Sequence, residues 1–167
     1  MSERDDGLTH FDAEGRARMV DVTQKDNTIR VAEAEGRIAM APETLDRIRN
    51  DETPKGNVLR VAELAGVMAG KKTGDLIPLC HQLPGASIEV RLEPDPDLPG
   101  IVARAVARYT GATGVEMEAL TAVSVSLLTV YDMVKAIDRG MRIDGIRLLH
   151  KEGGRSGTWT AAESPPA

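Results

Sequence analysis

Apolar and polar residues alternate in three stretches of the chain, which is the pattern of half-buried strands. The first stretch is residues 28–40, and Gly36 indicates a break within it. The second is residues 86–93 and the third is residues 101–109, with the turn-forming segment EPDPDLPG between them. The last two stretches therefore predict an antiparallel hairpin. On its first strand, the residues expected to share one face are Ile88, Val90 and Leu92.

Apolar residues recur at three- and four-residue spacing in two other stretches, and this spacing predicts helices. The shorter helix covers residues 57–69, and the longer covers residues 116–139 and is ended by Gly140. A further short helix begins at Pro42 and reaches about residue 50. The apolar positions are Val58, Val61, Ala62, Ala65 and Met68 in the shorter helix, and Val123, Leu127, Val130, Val134 and Ile137 in the longer one.

Residues 142–154 indicate a last strand followed by a glycine-rich tail, which completes the order β, α, β, β, α, β. This order predicts an α+β protein of the ferredoxin-like βαββαβ type, with an antiparallel sheet and the helices packed on one face. Another two-layer α+β sandwich is the alternative. We expect a single domain over residues 1–167, ordered at about 8–157, with flexible tails at 1–7 and 161–167.

Composition narrows the range of partners. The 167 residues carry a net charge of −5, and only 2% are aromatic. An acidic chain with few rings for base stacking argues against nucleic-acid binding. A single cysteine cannot form an internal disulfide, which suits a reducing compartment. The N-terminus has no apolar core and no apolar run approaches the roughly 18 residues of a membrane span, so we expect a cytoplasmic protein that binds no membrane.

The segment DLIPLCHQLPG at 75–85 contains that cysteine, Cys80, next to His81. A thiolate nucleophile needs a base and a group that orients the base, but neighbouring side chains usually point apart. A zinc site needs several Cys and His residues at motif spacing, which are missing here. The pattern favours a packed thiol, with His81 turned toward a pocket and the loop fixed by Pro78 and Pro84.

The segment GKKT at 70–73 is similar to the end of a Walker A loop. The glycine that such a loop requires is replaced by Ala65, and the preceding segment is predicted to be helical, so a P-loop is rejected. Lys71 and Lys72 are either solvated charges or phosphate contacts.

Charged residues occur near both ends of the long predicted helix. Glu116 and Glu118 follow a TGATG segment and either stabilise the helix N-terminus through its dipole or accept hydrogen bonds from a ring rich in N–H groups. Asp132 and Lys135 are three residues apart and can pair, either as a surface ion pair or as a desolvated pair with shifted pKa values. Glu118 and Asp132 would lie about 21 Å apart along one helix. If both serve one site, two subunits must contribute helices.

Five blocks of sequence together resemble the cyclic pyranopterin monophosphate synthase family of molybdenum cofactor biosynthesis. They span nearly the whole chain from Leu8 to about Gly157, and LIPLCH and TGVEMEALTA are the most specific parts. The blocks are LTHFDAEGRARMVDV at 8–22, KGNV at 55–58, AGKKTGDLIPLCHQL at 69–83, TGATGVEMEALTAVSVSLLTVYDMVKA at 110–136 and IRLLHKEGGRSG at 146–157.

The resemblance implies a ferredoxin-like subunit in a homohexamer, a trimer of dimers with the site at the dimer interface. It implies a lyase that converts (8S)-3′,8-cyclo-7,8-dihydroguanosine 5′-triphosphate, hereafter cyclised dihydro-GTP, to cyclic pyranopterin monophosphate and pyrophosphate. No redox cofactor is implied. Any divalent ion would accompany the substrate phosphates rather than occupy a protein metal site.

Positions matching the family's motifs imply the roles of individual residues. The implied catalytic residues are Asp132, Lys55 and Lys135. The implied substrate contacts are Leu79, Cys80, His81, Glu116, Met117 and Glu118, and the implied phosphate contacts are Arg30, Lys71, Lys72 and Lys151. The chain departs from the pattern at Arg155, where lysine is common, and at Gly74, where a bulkier residue occurs. Two other functions are weighed against this one: a non-catalytic pterin- or nucleotide-binding scaffold of the same pathway, and a cysteine hydrolase using Cys80.

Overall fold

The computed structural model of the protein describes residues 14–17, 19, 22 and 26–162. Residues 1–7 of the predicted tails lie outside these ranges, and so do residues 163–167. The elements in chain order are β1 (Thr28–Ala39), α1 (Pro42–Arg49), α2 (Val58–Gly70), α3 (Thr73–Leu76), β2 (Ser87–Asp95), β3 (Gly100–Gly111), α4 (Glu116–Val134), β4 (Arg142–Glu152) and β5 (Trp159–Thr160).

The five strands form one antiparallel sheet in the order β2-β3-β1-β4-β5. The first four strands have the order expected of a ferredoxin-like fold, so the predicted fold class is confirmed. The predicted hairpin is the β2–β3 pair, in which Ser87 lies opposite Arg108 and Asp95 opposite Gly100. The two-residue strand β5 was not predicted, and it pairs with the end of β4 at the edge of the sheet.

The core lies between the sheet and helices α2 and α4. It uses many small side chains, which lets the helices approach the strands closely. The opposite face of the sheet is charged: the carboxylate of Glu35 accepts from Arg147 at 2.9 Å and lies 3.5 Å from Arg104. The fully buried alanines on the core face of the sheet are Ala32, Ala34, Ala103, Ala105 and Ala107.

The predicted break at Gly36 is wrong, because β1 runs through this residue without interruption. A Cβ built at Gly36 would lie 2.9 Å from side-chain carbons of Val123 and Ile146. The glycine therefore makes room for α4 and β4 above the strand. The irregularity that it does accompany is a register shift against β4, between Glu35 and Arg37.

The face that α2 buries agrees with the predicted one only in part: Val58 and Ala62 are buried as predicted. Val61 and Met68 are 44% and 53% exposed. The helix instead turns its glycines toward α4: a Cβ built on Gly66 would overlap Oγ of Ser126 and lie 2.9 Å from the carbonyl oxygen of Ala122. The apolar pattern counts side chains and so misses a face made of glycine. The buried residues of α2 are Val58, Ala62, Gly66, Ala69 and Gly70.

Helix α4 begins where predicted but ends at Val134, five residues before residue 139. The N–H groups of Ile137 and Asp138 both bond the Val134 carbonyl, at 2.8 and 3.1 Å, which closes the chain into a turn. The Asp138 carboxylate accepts from the N–H of Ala41 at 2.9 Å and fixes this turn against the start of α1. Ile137 therefore lies outside the helix, whereas the four other predicted stripe residues are fully buried.

Helix α4 has 19 residues and is apolar enough, by length and composition, to cross a membrane. Of its most apolar window, 56% is buried inside the protein, as for the core helix of a globular fold.

Candidate active site

Two amines meet one carboxylate at the C-terminal end of α4. Nζ of Lys135 lies 2.6 Å from Oδ1 of Asp132, and Nζ of Lys55 lies 3.0 Å from Oδ2. Lys55 also donates to the backbone carbonyl of Asp132 at 3.1 Å. The predicted pairing of Asp132 with Lys135 is thus observed, and the third implied catalytic residue joins it.

Lys55 lies on the loop between α1 and α2, and side-chain hydrogen bonds within this loop hold it beside Asp132. The Asn57 side chain caps α2 by accepting from the N–H of Arg60 at 2.9 Å, and it donates to Asp51 at 2.8 Å. The Thr53 hydroxyl donates to the carbonyl of Gly56 at 2.5 Å. Gly56, with a φ of 84°, makes the turn directly after Lys55. The loop therefore fixes the backbone on both sides of the lysine.

The ion pairs shift the pKa values of the two α4-end residues, Asp132 and Lys135, further away from neutral pH. Hydrogen bonds from Lys135, and then from Lys55, lower the pKa of Asp132 to about 2. The hydrogen bond to Asp132 raises the pKa of Lys135. All three side chains are about half exposed in one copy of the chain. The Asp132 carboxylate therefore rests as an anion beside the two amines.

A second cluster surrounds the N-terminal end of α4. Glu118 is only 5% exposed, and burial raises the pKa of its carboxyl, with the charge of Glu116 adding to the effect. Burial likewise raises the pKa of the Cys80 thiol, with the Glu118 carboxylate adding. A raised thiol pKa disfavours the thiolate that a cysteine hydrolase needs. Met117, in the same first turn of α4, is 37% exposed.

The segment 70–82 lies against this end of α4. A Cβ built on Gly70 would lie 3.1 Å from the carbonyl oxygen of Glu118, so Lys71 and Lys72 leave α2 beside the buried glutamate. A Cβ built on Gly74 would lie 3.2 Å from the carbonyl oxygen of His81, which packs the segment back on itself. Where the family pattern allows a bulkier residue, this chain therefore has little room for one.

Leu79 in this segment has a φ of 64°, a left-handed conformation that is rare for leucine. The side chains of Asp75 and Gln82 close the segment through a 2.6 Å hydrogen bond. Strained backbone held by surrounding contacts is typical of functional sites. Leu79, Cys80 and His81 thus belong to one constrained loop.

A cavity of about 500 Å³ opens beside the same end of α4, between the starts of β1 and α4 and the loop after β4. Arg30, Glu116 and Lys151 line it. Nε of Arg30 donates to the carbonyl of Gly111 at 3.2 Å. Nζ of Lys151 lies 3.6 Å from the Glu116 carboxylate and donates to the hydroxyl of Ser156 at 2.6 Å. The cavity therefore offers cations and carboxylates side by side.

The structure joins some of the predicted site residues and separates others. Lys55, Asp132 and Lys135 lie at one end of α4, and the ten implied substrate and phosphate contacts lie around its other end or the adjoining cavity. The 14 residues from Glu118 to Asp132 span about 21 Å of helix. One copy of the chain therefore keeps the three implied catalytic residues apart from the implied substrate and phosphate contacts. Among residues 14–17, 19, 22 and 26–162, no three His, Cys, Asp or Glu side chains converge on a metal site.

Several residues of the site region were not singled out from the sequence. Thr28, Gly154 and Ser156 line the cavity. A pair of glycines directly after a strand is the one local signal that marks this loop, since such pairs allow close approach of backbone to a ligand. No spacing rule points to Thr28, which lies within an ordinary strand pattern.

Comparisons with known proteins agree on one family. The sequence profile described as the MoaC family matches residues 19–154. A protein of Methylobacterium sp. (strain 4-46) named cyclic pyranopterin monophosphate synthase is 63% identical over 154 residues, which are 92% of this chain and 96% of that protein. Proteins with the same name from Rhodospirillum rubrum and Dinoroseobacter shibae are 59% and 58% identical, over 94% and 93% of this chain and 95% and 98% of theirs.

Proposed function

This chain belongs to the MoaC family, and on that premise we propose that it is a cyclic pyranopterin monophosphate synthase, a lyase of molybdenum cofactor biosynthesis. Its reaction would convert cyclised dihydro-GTP to cyclic pyranopterin monophosphate with release of pyrophosphate. Beyond the relatives, one observation supports the proposal most: two amines share the carboxylate of Asp132 within 3.0 Å.

This cluster suits the proton transfers that opening and closing the rings of the substrate require. Because Asp132 raises the pKa of Lys135, that amine enters the reaction as an ammonium and acts first as an acid. Lys55 is the second amine on the same carboxylate. Asp132 remains an anion throughout this first transfer and holds both amines in place.

The other end of α4 suits recognition of the substrate. The carboxylates of Glu116 and Glu118 can accept hydrogen bonds from the N–H groups of the guanine-derived ring. Leu79, Cys80, His81 and Met117 would form the wall of this pocket. Arg30, Lys71, Lys72 and Lys151 supply positive charge for the triphosphate, and they would stabilise the charge that grows on the departing pyrophosphate.

A complete site then needs two copies of the chain, since the two ends of one α4 are about 21 Å apart. The outer face of the helical layer between these ends carries exposed apolar side chains, which suits contact with another protein surface. A homohexamer built as a trimer of dimers, with the site at the dimer interface, meets this need. The exposed side chains are Val61, Leu64 and Met68 of α2 and Leu128 of α4.

The remaining parts of the proposal follow from the family. We expect no redox cofactor, and a divalent ion only together with the substrate phosphates. We expect a cytoplasmic protein whose partners are its substrate and its own copies, with neither nucleic acid nor membrane bound. A non-catalytic scaffold that hands on a pterin is the second candidate, but binding alone gives no reason for two amines on one carboxylate.

Incubation with cyclised dihydro-GTP separates the two candidates. The proposed function predicts that purified protein yields cyclic pyranopterin monophosphate and one equivalent of pyrophosphate, followed by liquid chromatography with mass detection. Recovery of unchanged substrate from a stable complex with folded protein would instead support the scaffold.

A further inference from the structure

The start of β1 presents two side chains to the same cavity. Thr28 and Arg30 are two residues apart in a strand, so they point to the same face, and both line the cavity beside the N-terminal end of α4. Gly153 and Gly154 line the same cavity and pack against the start of β1. Neither Thr28 nor Gly154 belongs to the set of residues implied by the family resemblance.

Arg30 is held by backbone and not by a carboxylate. Its Nε donates to the carbonyl of Gly111 at 3.2 Å, and among the described residues no Asp or Glu lies within ion-pair distance of it. Because only its Nε is engaged within the part of the chain that the structure describes, this guanidinium still has N–H groups that can donate to a ligand. Two parallel N–H groups of a guanidinium match the oxygens of a phosphate.

Gly154 sets the position of that guanidinium. A Cβ built on Gly154 would overlap Nη1 of Arg30 and lie 2.7 Å from its Cζ. Gly154 therefore leaves free the space that the guanidinium occupies, and a side chain at this position would displace that flexible group. Its φ of 76° is also left-handed, so a substitution strains the backbone in addition to displacing Arg30.

Thr28 carries an unexplained hydroxyl. Its Oγ1 is buried and has no hydrogen-bond partner among the residues that the structure describes. A buried polar atom without a partner destabilises a fold, and such atoms are rare in native proteins, where strain, a catalytic role or a bound water or ion accounts for them. Because Thr28 lines the cavity two residues from Arg30, a bound ligand is the partner that its position suggests.

We propose that Thr28 and Gly154 complete the phosphate-binding end of the site. The Thr28 hydroxyl donates a hydrogen bond to a phosphate oxygen of the ligand that Arg30 binds. Gly154 is a positioning residue that keeps the Arg30 guanidinium at the cavity. The identity of this ligand as cyclised dihydro-GTP rests on the proposed function.

The first test compares two glycine substitutions with similar backbone strain. Gly157 has a φ of 62°, and a Cβ built on it meets no atom within 4 Å. Gly154→Ala should raise KM for cyclised dihydro-GTP by roughly tenfold, the loss of one charge-assisted contact, with kcat changed much less. Gly157→Ala should keep the wild-type KM. Adding Arg30→Ala should cost the Gly154→Ala protein little more, because the two changes remove one contact. Equal KM values for the two glycine variants would overturn the role of Gly154.

The second test uses the near-isosteric change Thr28→Val. The proposal predicts a KM roughly tenfold higher, together with a thermal unfolding midpoint at or above that of the wild type, because an unpaired buried hydroxyl has been removed. The control is Thr110→Val, at an exposed position on β3 outside the cavity. An unchanged KM in Thr28→Val would overturn the role of the hydroxyl.

Failure of the proposed function is distinguishable from failure of this inference. Wild-type protein that forms no pyranopterin contradicts the function alone. Calorimetric titration with inorganic pyrophosphate then decides the inference: weaker binding in Gly154→Ala and Thr28→Val than in their controls supports it, and equal dissociation constants overturn it.

Discussion

Nζ of Lys55 lies 3.0 Å from Oδ2 of Asp132, although 77 residues separate them in the chain. The other oxygen of the same carboxylate lies 2.6 Å from Nζ of Lys135, one turn of α4 away. One side chain thus joins a loop after α1 to the end of α4. The consequences of this arrangement for catalysis and for protonation can be measured separately.

Asp132→Asn and Lys55→Ala should each lower turnover by roughly 10²- to 10⁴-fold, the usual contribution of a group that moves protons. Folding should change little, because exposed ion pairs contribute little to stability. Steady-state kinetics and circular dichroism on both variants check this. Glu89→Gln is the matched control, since it breaks the similarly exposed Glu89–Arg108 pair at 2.8 Å. Full activity in either catalytic variant would contradict the assigned roles.

The two lysines should contribute unequally to the acidity of Asp132. Carboxyl titration by nuclear magnetic resonance should give a pKa of about 2. Lys135→Ala should move the pKa of Asp132 upward more than Lys55→Ala does, because the Lys135 hydrogen bond is the larger cause. Since the folded-state pKa lies below that of the unfolded chain, this carboxylate stabilises the fold above the unfolded pKa, but only slightly, because the exposed pair is screened by solvent. That stabilisation is lost as the pH falls toward 2. A pKa unmoved by either substitution would contradict the geometry.

Glu118 should make stability depend on pH in the opposite direction. Burial raises the pKa of its carboxyl, so the folded protein holds this proton at pH values where the unfolded chain has lost it. Stability should therefore decrease as the pH rises from the unfolded pKa through the raised folded one. Glu118→Gln should remove this decrease and be more stable than the wild type at neutral pH, yet lose substrate affinity. Denaturant titrations across the pH range test this, and unchanged pH dependence in the variant would contradict it.

Cys80 should be dispensable for the chemistry. Burial raises the pKa of its thiol, so iodoacetamide should react with it more slowly than with a free cysteine. Cys80→Ser should retain turnover within about an order of magnitude, since the proposed role of this side chain is only a contact with the substrate. If Cys80→Ser instead lost as much turnover as Asp132→Asn, the result would contradict this prediction and support a covalent mechanism through the thiol.

The sequence pattern predicts the order of strands and the buried stripe of α4, because alternation and helical spacing record which side chains face the core. It does not predict contacts made by glycine. Gly36 and Gly66 lie where α4 packs tightly against β1 and α2, and a pattern of apolar side chains has no signal for them. The early end of α4 depends on the tertiary contact between Asp138 and Ala41, which helical spacing also omits.

The candidate site also contains residues that the sequence predicts and residues that only the folded structure identifies. Spacing alone suffices for the Asp132–Lys135 pair, because residues three apart on a helix are neighbours. The addition of Lys55 depends on packing between distant segments, and only the family resemblance pointed to it. Thr28 is recognised only in the folded chain, where its hydroxyl has no partner among the residues that the structure describes.

The central claim is that one reaction centre combines the Asp132 end of α4 from one copy with the Glu118 end from another. Co-expression of differently tagged Asp132→Asn and Glu118→Gln chains, followed by isolation of mixed oligomers, tests it through formation of cyclic pyranopterin monophosphate. In a mixed dimer one of the two interface sites is intact, so activity should return to about half of the wild-type value. Mixed oligomers of Asp132→Asn and Lys55→Ala are the control and should stay inactive, because those two residues lie in one cluster of the same chain. Activity no higher than that of the parent variants in the first mixture would contradict the claim.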